Sequence, residues 1–307
     1  MSPENSRSEF SKGVIALFTV TLTWALFSIF ARAMHGELGN AYQLSLRLVT
    51  ASIFLVLLKP SLLNLERYKK YTRGDWKLLG LRSVLFTGLG SLPWVAAINS
   101  TDIATTSFVQ ALPFTCLWGV LIFKERRPLL IWCILAFAVL GAALMFGILP
   151  GQSIRFGRGE CLALISATAF PLALILRKKH SPAPDDWELS LLVLLLGAAQ
   201  AFPAAYLLGE SFPLRISLWM AFLGTIGGIL VAASLFFSSY GMPRVSGMLS
   251  GIIFALESPL CVLLGLAVYG EIPTLNTLMG GAMIVAAVIA MCVAEQRYAT
   301  AAPSTTH

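Results

Sequence analysis

A carboxylate interrupts an otherwise apolar stretch. Glu257 lies between Val245 and Tyr269, thirteen residues after Arg244, with Pro259 two residues further on. If that stretch crosses a bilayer, Glu257 sits near its midplane, where a charged side chain costs about 2.5–3.5 kcal/mol or more. A carboxylate kept there at such a cost suits docking of an ammonium group or carriage of a proton. The plainer alternative is a neutral acid bonded to a neighbouring helix. Pro259 frees a backbone carbonyl beside it and bends the chain. Arg47, four or five residues inside another apolar stretch, either reaches out to the interface or pairs with a substrate carboxylate or with Glu257. Arg82 lies nearer a basic loop and is read as an interfacial anchor.

Aromatic and hydroxyl residues recur at helical spacing. Thr21, Trp24 and Ser28 share one helix face, as do Ser91 with Trp94, Ser166 with Phe170, and Phe236 with Tyr240. Such stripes suit a pocket for an amphipathic molecule with an apolar ring, although ordinary packing uses the same residues. The expected substrate-binding set is Trp24, Trp94, Gln110, Phe170, Tyr240 and Glu257, with Arg47 as a charge partner. Pro113 and Pro259 are the expected helix bends, and Pro93, Pro171 and Pro203 also fall within spans.

The elements that must position these residues are membrane helices. The chain has 307 residues, 57% hydrophobic and 12% charged, with a mean hydropathy of +0.79. A soluble domain carries about twice that charged fraction. Ten apolar runs are long enough to span a bilayer: 12–33, 42–59, 77–98, 102–123, 129–148, 158–177, 187–208, 216–240, 244–269 and 275–294. The first is read as a retained helix, because its 19-residue apolar stretch exceeds a signal-peptide core. The tails, 1–11 and 295–307, are expected to be irregular. All five cysteines lie in apolar segments without CxxC spacing, and are expected to be buried packing thiols.

The net charge of +7 does not indicate nucleic acid, because the basic residues cluster in turns between spans. With the N-terminus cytoplasmic, sixteen of the 22 Lys and Arg fall on the inner side and four on the outer, while Arg47 and Arg82 lie within spans. That bias places both termini inside.

The chain also says one thing twice. PFTCLWGVLIFKE at 113–125 and PLCVLLGLAVYGE at 259–271 share proline, glycine and glutamate in register, at an offset of 146 residues. The same offset matches Gly13 with Gly159, Trp24 with Phe170, Trp94 with Tyr240, and Arg32-Ala33 with Lys178-Lys179. Each unit holds five spans, and an odd number inserts the second copy inverted. Glu257 corresponds to Ala111, so its carboxylate belongs to one repeat alone, with Gln110 beside the matching position.

These duplicated runs, together with Thr23-Trp24-Ala25 and Ala169-Phe170, resemble the EamA-type repeat of the drug/metabolite transporter superfamily over about residues 12–294. The resemblance implies an all-α polytopic membrane protein of ten helices, built as two inverted five-helix repeats (12–150 and 158–294) around a central cavity. Helices one to four and six to nine would line the cavity, with five and ten peripheral. It implies a secondary transporter of the bacterial inner membrane that works by alternating access, and it is compatible with the branch exporting aromatic and other amino acids. Multidrug or organic-cation efflux is the alternative, followed by a non-transporting receptor or scaffold. No cofactor or metal is expected, since no Walker A, HExxH or GxSxG pattern occurs. The expected partners are a small-molecule substrate and the lipid bilayer; the oligomeric state is open, and one chain can suffice.

The topology has a direct test. A reporter fused at residue 210, between spans seven and eight, is expected to signal from the outer face, and a cytoplasmic signal would overturn the ten-span map.

Overall fold

The computed structural model describes residues 3–34, 38–100, 106, 109–110, 112–124, 128–145, 157–211, 215–270 and 272–301. Glu125 and Glu271, which close the duplicated motif, lie outside them, as do Ala111 and the basic pair Arg126-Arg127. The elements are α1 (Pro3–Ala33), α2 (Asn40–Leu58), α3 (Arg73–Ser83), a π segment (Val84–Ser91), α4 (Leu92–Ile98), α5 (Phe114–Phe123), α6 (Leu129–Met145), α7 (Arg158–Ile175), α8 (Asp186–Leu207), α9 (Leu218–Gly241), α10 (Gly247–Ala255), α11 (Glu257–Tyr269) and α12 (Leu275–Ala301). All described elements are helical. Among the described residues eight helices, some of them continuous through irregular turns, are long and apolar enough to cross a membrane, and α5 and α6 are shorter apolar helices.

The tails depart from the expectation of irregular chain. Helix α1 begins at Pro3, a residue suited to a first helical turn, and α12 runs on to Ala301. The early turns of α1 are held by Glu9, which pairs with Lys12 one turn on and with Arg244 from the distant α9–α10 turn.

Packing follows the inverted repeat. Helix α1 lies against α9, as α7 lies against the π segment and α4. In the same way α2 lies on α9 as α8 lies on α3 and the π segment, and α11 lies on α1 as α5 lies on α7. The pairs α2–α8, α5–α10 and α6–α12 close the arrangement across the pseudo-two-fold axis. Exchanging the repeats therefore maps one contact onto another, and neither repeat has a core of its own.

The interior is rich in small and hydroxyl residues, while large apolar side chains such as Ile53, Leu121, Leu140, Phe202, Trp219 and Leu263 face outward. Lipid is as apolar as leucine, so helices associate by close packing and internal hydrogen bonds. Several buried hydroxyls bond within their own helix: Ser45 donates to the Ala41 carbonyl and Ser52 to that of Leu48, each at 2.8 Å. Cys116 is buried as expected, but Cys133 and Cys161 are exposed on the outside of the bundle, where a thiol in lipid needs no partner.

Both fourth helices of the repeats are broken. In the first, an inverse γ-turn centred on Pro113 (φ −81°, ψ 54°) separates α5 from the preceding chain, with the Phe114 N–H donating to the Leu112 carbonyl at 2.8 Å. In the second, a turn at Leu256 divides α10 from α11. Both halves then end in left-handed backbone at equivalent positions, Lys124 (φ 52°) and Gly270 (φ 68°). Glycine adopts that conformation freely and lysine does so at a cost, so the two caps are alike in geometry and unequal in strain.

The tightest crossing is α6 on α12. A Cβ at Gly280 would press into the Gly141 carbonyl and come within 2.6 Å of Met145 N, both backbone atoms that cannot step aside. Gly280→Ala is expected to destabilise the protein by about 1–3 kcal/mol, read as a lower melting temperature in detergent; an unchanged melt would show that the helices separate freely.

Candidate functional site

A central cavity opens between the repeats, with about 970 Å³ of empty space including its mouth. Its aromatic wall is made by Trp24 and Phe27 of α1, Phe86 of the π segment, Trp94 of α4, Phe170 of α7 and Phe254 of α10. These rings touch in sequence. Trp24 meets Phe170 edge-on at 5.2 Å and Phe254 at 4.8 Å, Phe170 meets Phe86 at 5.0 Å, and Phe27 meets Trp94 at 5.4 Å. Edge-on and tilted pairs at such distances are the favoured aromatic geometries.

The irregular backbone converges on this cavity. Pro93 has no N–H and crowds the preceding turn, and the chain answers with the π segment, in which Leu92 N bonds to the Thr87 carbonyl. The Ser91 hydroxyl then donates to the Phe86 carbonyl at 2.7 Å. Pro171, inside α7, also lines the cavity. Glu257 is the first residue of α11, immediately after the break at Leu256. It lines the cavity, and no hydrogen bond or ion pair to its carboxylate is found among the described residues. Gln110 donates from Nε2 to the Ser166 hydroxyl at 2.9 Å, tying the fourth span to the sixth at the cavity wall.

Trp24, Trp94, Gln110, Phe170 and Glu257 are thus brought together, and Pro113 and Pro259 flank the two breaks. Tyr240 is not with them. It lies at the basic end of α9, where the Arg244 guanidinium covers its ring at 3.6 Å and Nη1 of Arg244 donates to its carbonyl. Its stripe-mate Phe236 stacks on Trp187 at 4.3 Å. Arg47 neither snorkels nor meets Glu257: it is fully buried between α2 and α9, behind Phe27. Arg82 is not interfacial either. It is buried, and its Nε donates at 3.0 Å to the Ala173 carbonyl near the end of α7. The spacing stripes missed Phe27, Phe86 and Phe254. Phe27 and Phe254 each stand three residues from a chosen residue, Trp24 and Glu257, and that periodicity was signal enough.

The displacement of Tyr240 has a cause in the symmetry. The cavity takes Phe27, Leu44, Leu48 and Trp94 from the end of the bundle far from the basic loops. Their repeat equivalents Ala173, Ser190, Leu194 and Tyr240 do not line it, and neither does any residue of α8, contrary to the expectation for the seventh helix. The basic end is filled instead by polar clasps. Glu188, wholly buried, accepts from Arg67 at 2.7 Å and from Tyr71 at 3.1 Å, with Lys70 Nζ at 2.9 Å. Lys59 pairs with Asp185 at 2.6 Å, and Asp75 accepts from the Ser181 N–H and hydroxyl. Burial pushes the Asp185 carboxyl up, but the Lys59 ammonium outweighs it and holds the group below the usual carboxylate range. Burial, with Arg82 and Arg177 nearby, pushes the His180 imidazole down to about 4, so it is neutral at pH 7. At the far end the Glu210 carboxylate caps α2 by accepting from Ala41 N and Tyr42 N.

Comparison with known proteins agrees with this architecture. The EamA-like transporter family matches residues 11–147 and again 157–293. A protein of Archaeoglobus fulgidus called "Uncharacterized transporter" is 33% identical over 226 residues, covering 71% of this chain and 76% of that protein. A solved structure titled "Crystal structure of protein" superposes with a TM-score of 0.76, covering 94% of this chain and 99% of its own, at 17% identity, a likeness of fold alone.

The clasp at the basic end is testable. In a cysteine-free background, Asp185→Asn is expected to raise maleimide labelling of Tyr240→Cys and lower that of Val95→Cys by a factor of about 2 to 5, as an ion pair of about 0.5–1 kcal/mol supports. Acid should act in the same direction. The depressed carboxyl contributes stability above its unfolded pKa and loses it as pH falls through its folded one. Equal labelling in both proteins would show that the clasp does not hold this end shut.

Proposed function

The chain belongs to the EamA-like transporter family, and from that premise we propose a secondary transporter that exports aromatic or neutral amino acids, or related small metabolites, by alternating access. The reading rests on one arrangement: an aromatic cavity between two inverted repeats, with the carboxylate of Glu257 at the break of the ninth span. Broken helices at the repeat interface are where transporters of this kind bind substrate. The ring wall takes an apolar side chain, and Glu257 takes an ammonium group or a coupling proton. Sugar phosphates fit less well, because no Lys or Arg lines the cavity among the described residues.

Alternating access follows from exchanging the conformations of the repeats. In the opposite state Tyr240, Ser190 and Leu194 would line the cavity, while Trp94, Leu44 and Leu48 would close over it. Tyr240 thereby keeps a place in the substrate pathway, at the other end of the cycle. The bias of Lys and Arg toward one side supports a bacterial inner-membrane location with both termini in the cytoplasm. Transport chemistry needs no bond-making residue, and none is assigned. Efflux of organic cations is the second reading, favoured by the same six rings around a carboxylate.

The test is uptake into liposomes containing only this protein, with phenylalanine, tryptophan, threonine, a flat cationic dye and a sugar phosphate, each with and without a pH gradient. Amino-acid movement is expected, and dye alone would support the second reading. Glu257→Gln is expected to lower the rate by about 10- to 100-fold, the loss of a charge-assisted contact of about 1.5–3 kcal/mol, with folded protein still in the membrane. Wild-type rates across substrates and pH would remove Glu257 from the mechanism.

A further inference from the structure

We infer that Arg47 is a carboxylate-binding subsite of the central cavity, screened from it by the ring of Phe27. The inference rests on the cavity being the substrate site and adds which end of the substrate is read, and by what.

The two buried arginines differ in how they are satisfied. Arg82 leaves Nη1 without a partner, but its Nε donates to the Ala173 carbonyl, one of the terminal carbonyls of α7, and so serves as a cap. Arg47 has no such task. Its Nη2 lies 3.3 Å from the Met34 sulfur, a weak acceptor, and its Cζ stands 4.3 Å over the Phe27 ring. Nε and Nη1 are buried without a hydrogen-bond partner, and no carboxylate pairs with the residue among the described ones. An arginine does not escape such a site by losing its proton. A buried guanidinium left in this condition calls for an anion at some stage of the cycle.

The cavity is one side-chain layer away. Leu44 and Leu48, three residues before and one after Arg47 on α2, both line it, as does Phe27 itself. On the other side, Gly227 of α9 leaves the space that the guanidinium occupies: a Cβ there would stand 3.3 Å from Arg47 Nε. Rotation of the Phe27 ring would uncover two nitrogens that can donate to a single carboxylate. One guanidinium, with no second cation on the cavity lining among the described residues, suits a monocarboxylate better than a phosphate. With Glu257 on the same cavity, the substrate class is a zwitterion whose ring lies on the aromatic wall between the two charges.

The experiment uses purified full-length protein and tryptophan fluorescence, with 3-phenylpropionate, phenethylamine and phenylalanine as probes. Wild type should bind the carboxylate. Arg47→Gln should lower the ratio of 3-phenylpropionate to phenethylamine affinity by about tenfold or more, and Arg47→Lys should restore part of it. Phe27→Ala, which leaves the guanidinium in place, should raise the same ratio, and it decides the matter if Arg47→Gln does not fold. Failure of wild type to bind 3-phenylpropionate, equal weakening of both probes in Arg47→Gln, or an unmoved ratio in Phe27→Ala overturns the subsite. Liposome uptake separates the two readings. Arg47-dependent carboxylate binding without amino-acid movement would overturn the transport proposal alone, and phenylalanine movement with a ratio indifferent to Arg47 would overturn the subsite alone.

Discussion

Hydrocarbon offers no hydrogen bonds, so a membrane-embedded backbone stays helical unless it faces protein or a cavity. This protein departs from regular helix at Pro113, at Leu256 and through the π segment Val84–Ser91. All three departures border the same cavity. The correspondence runs from cause to consequence: the prolines remove donors, the freed carbonyls need somewhere to go, and the space between the repeats is where they can be placed. The Ser91 side chain supplies part of the satisfaction by donating to the Phe86 carbonyl. The site exists where the fold can tolerate broken helices.

The inverted repeat makes a second constraint. Among the described residues the principal helix contacts are paired with their images under exchange of the halves, so the two ends of the bundle are built from the same plan. They are not in the same condition. At the basic end Glu188, Asp185 and Asp75 gather cations and donors from facing loops. At the far end, among the described residues, Glu210 caps the start of α2 and Gln43 donates to the Met34 and Leu38 carbonyls. The inequality resides in polar groups at the ends of the bundle, where water and salt can reach them.

Much of this was legible in the residues. Ten spans, two repeats and their inversion follow from apolar run length and the 146-residue register of proline and glycine, because bilayer thickness and backbone satisfaction allow few other readings. Glu257 stood out for the same reason, as a carboxylate where hydrocarbon makes one expensive. Repeat symmetry points to Tyr240 as the counterpart of Trp94, and that logic holds for composition. It is silent about position relative to the cavity, which Trp94 lines and Tyr240 does not. The N-terminal extension of α1 is not legible in the sequence because Glu9 finds its second cation, Arg244, 235 residues away.

Arg47 was also visible, and its surroundings were not. Spacing places it on α2 near the far end, from which either exit to the interface or inward pairing follows equally well. The outcome was decided by glycines on another helix: Gly224, Gly227 and Gly228 let α9 approach α2 so closely that Leu46, Arg47 and Thr50 fill the space a side chain would take. Close approach shuts the route outward and leaves the guanidinium facing Phe27. The same glycines that permit the helix contact therefore hold a cation beside the cavity. Packing and charge are one feature here, since replacing the glycines would both part the helices and displace the only arginine that stands behind an aromatic wall of the cavity among the described residues.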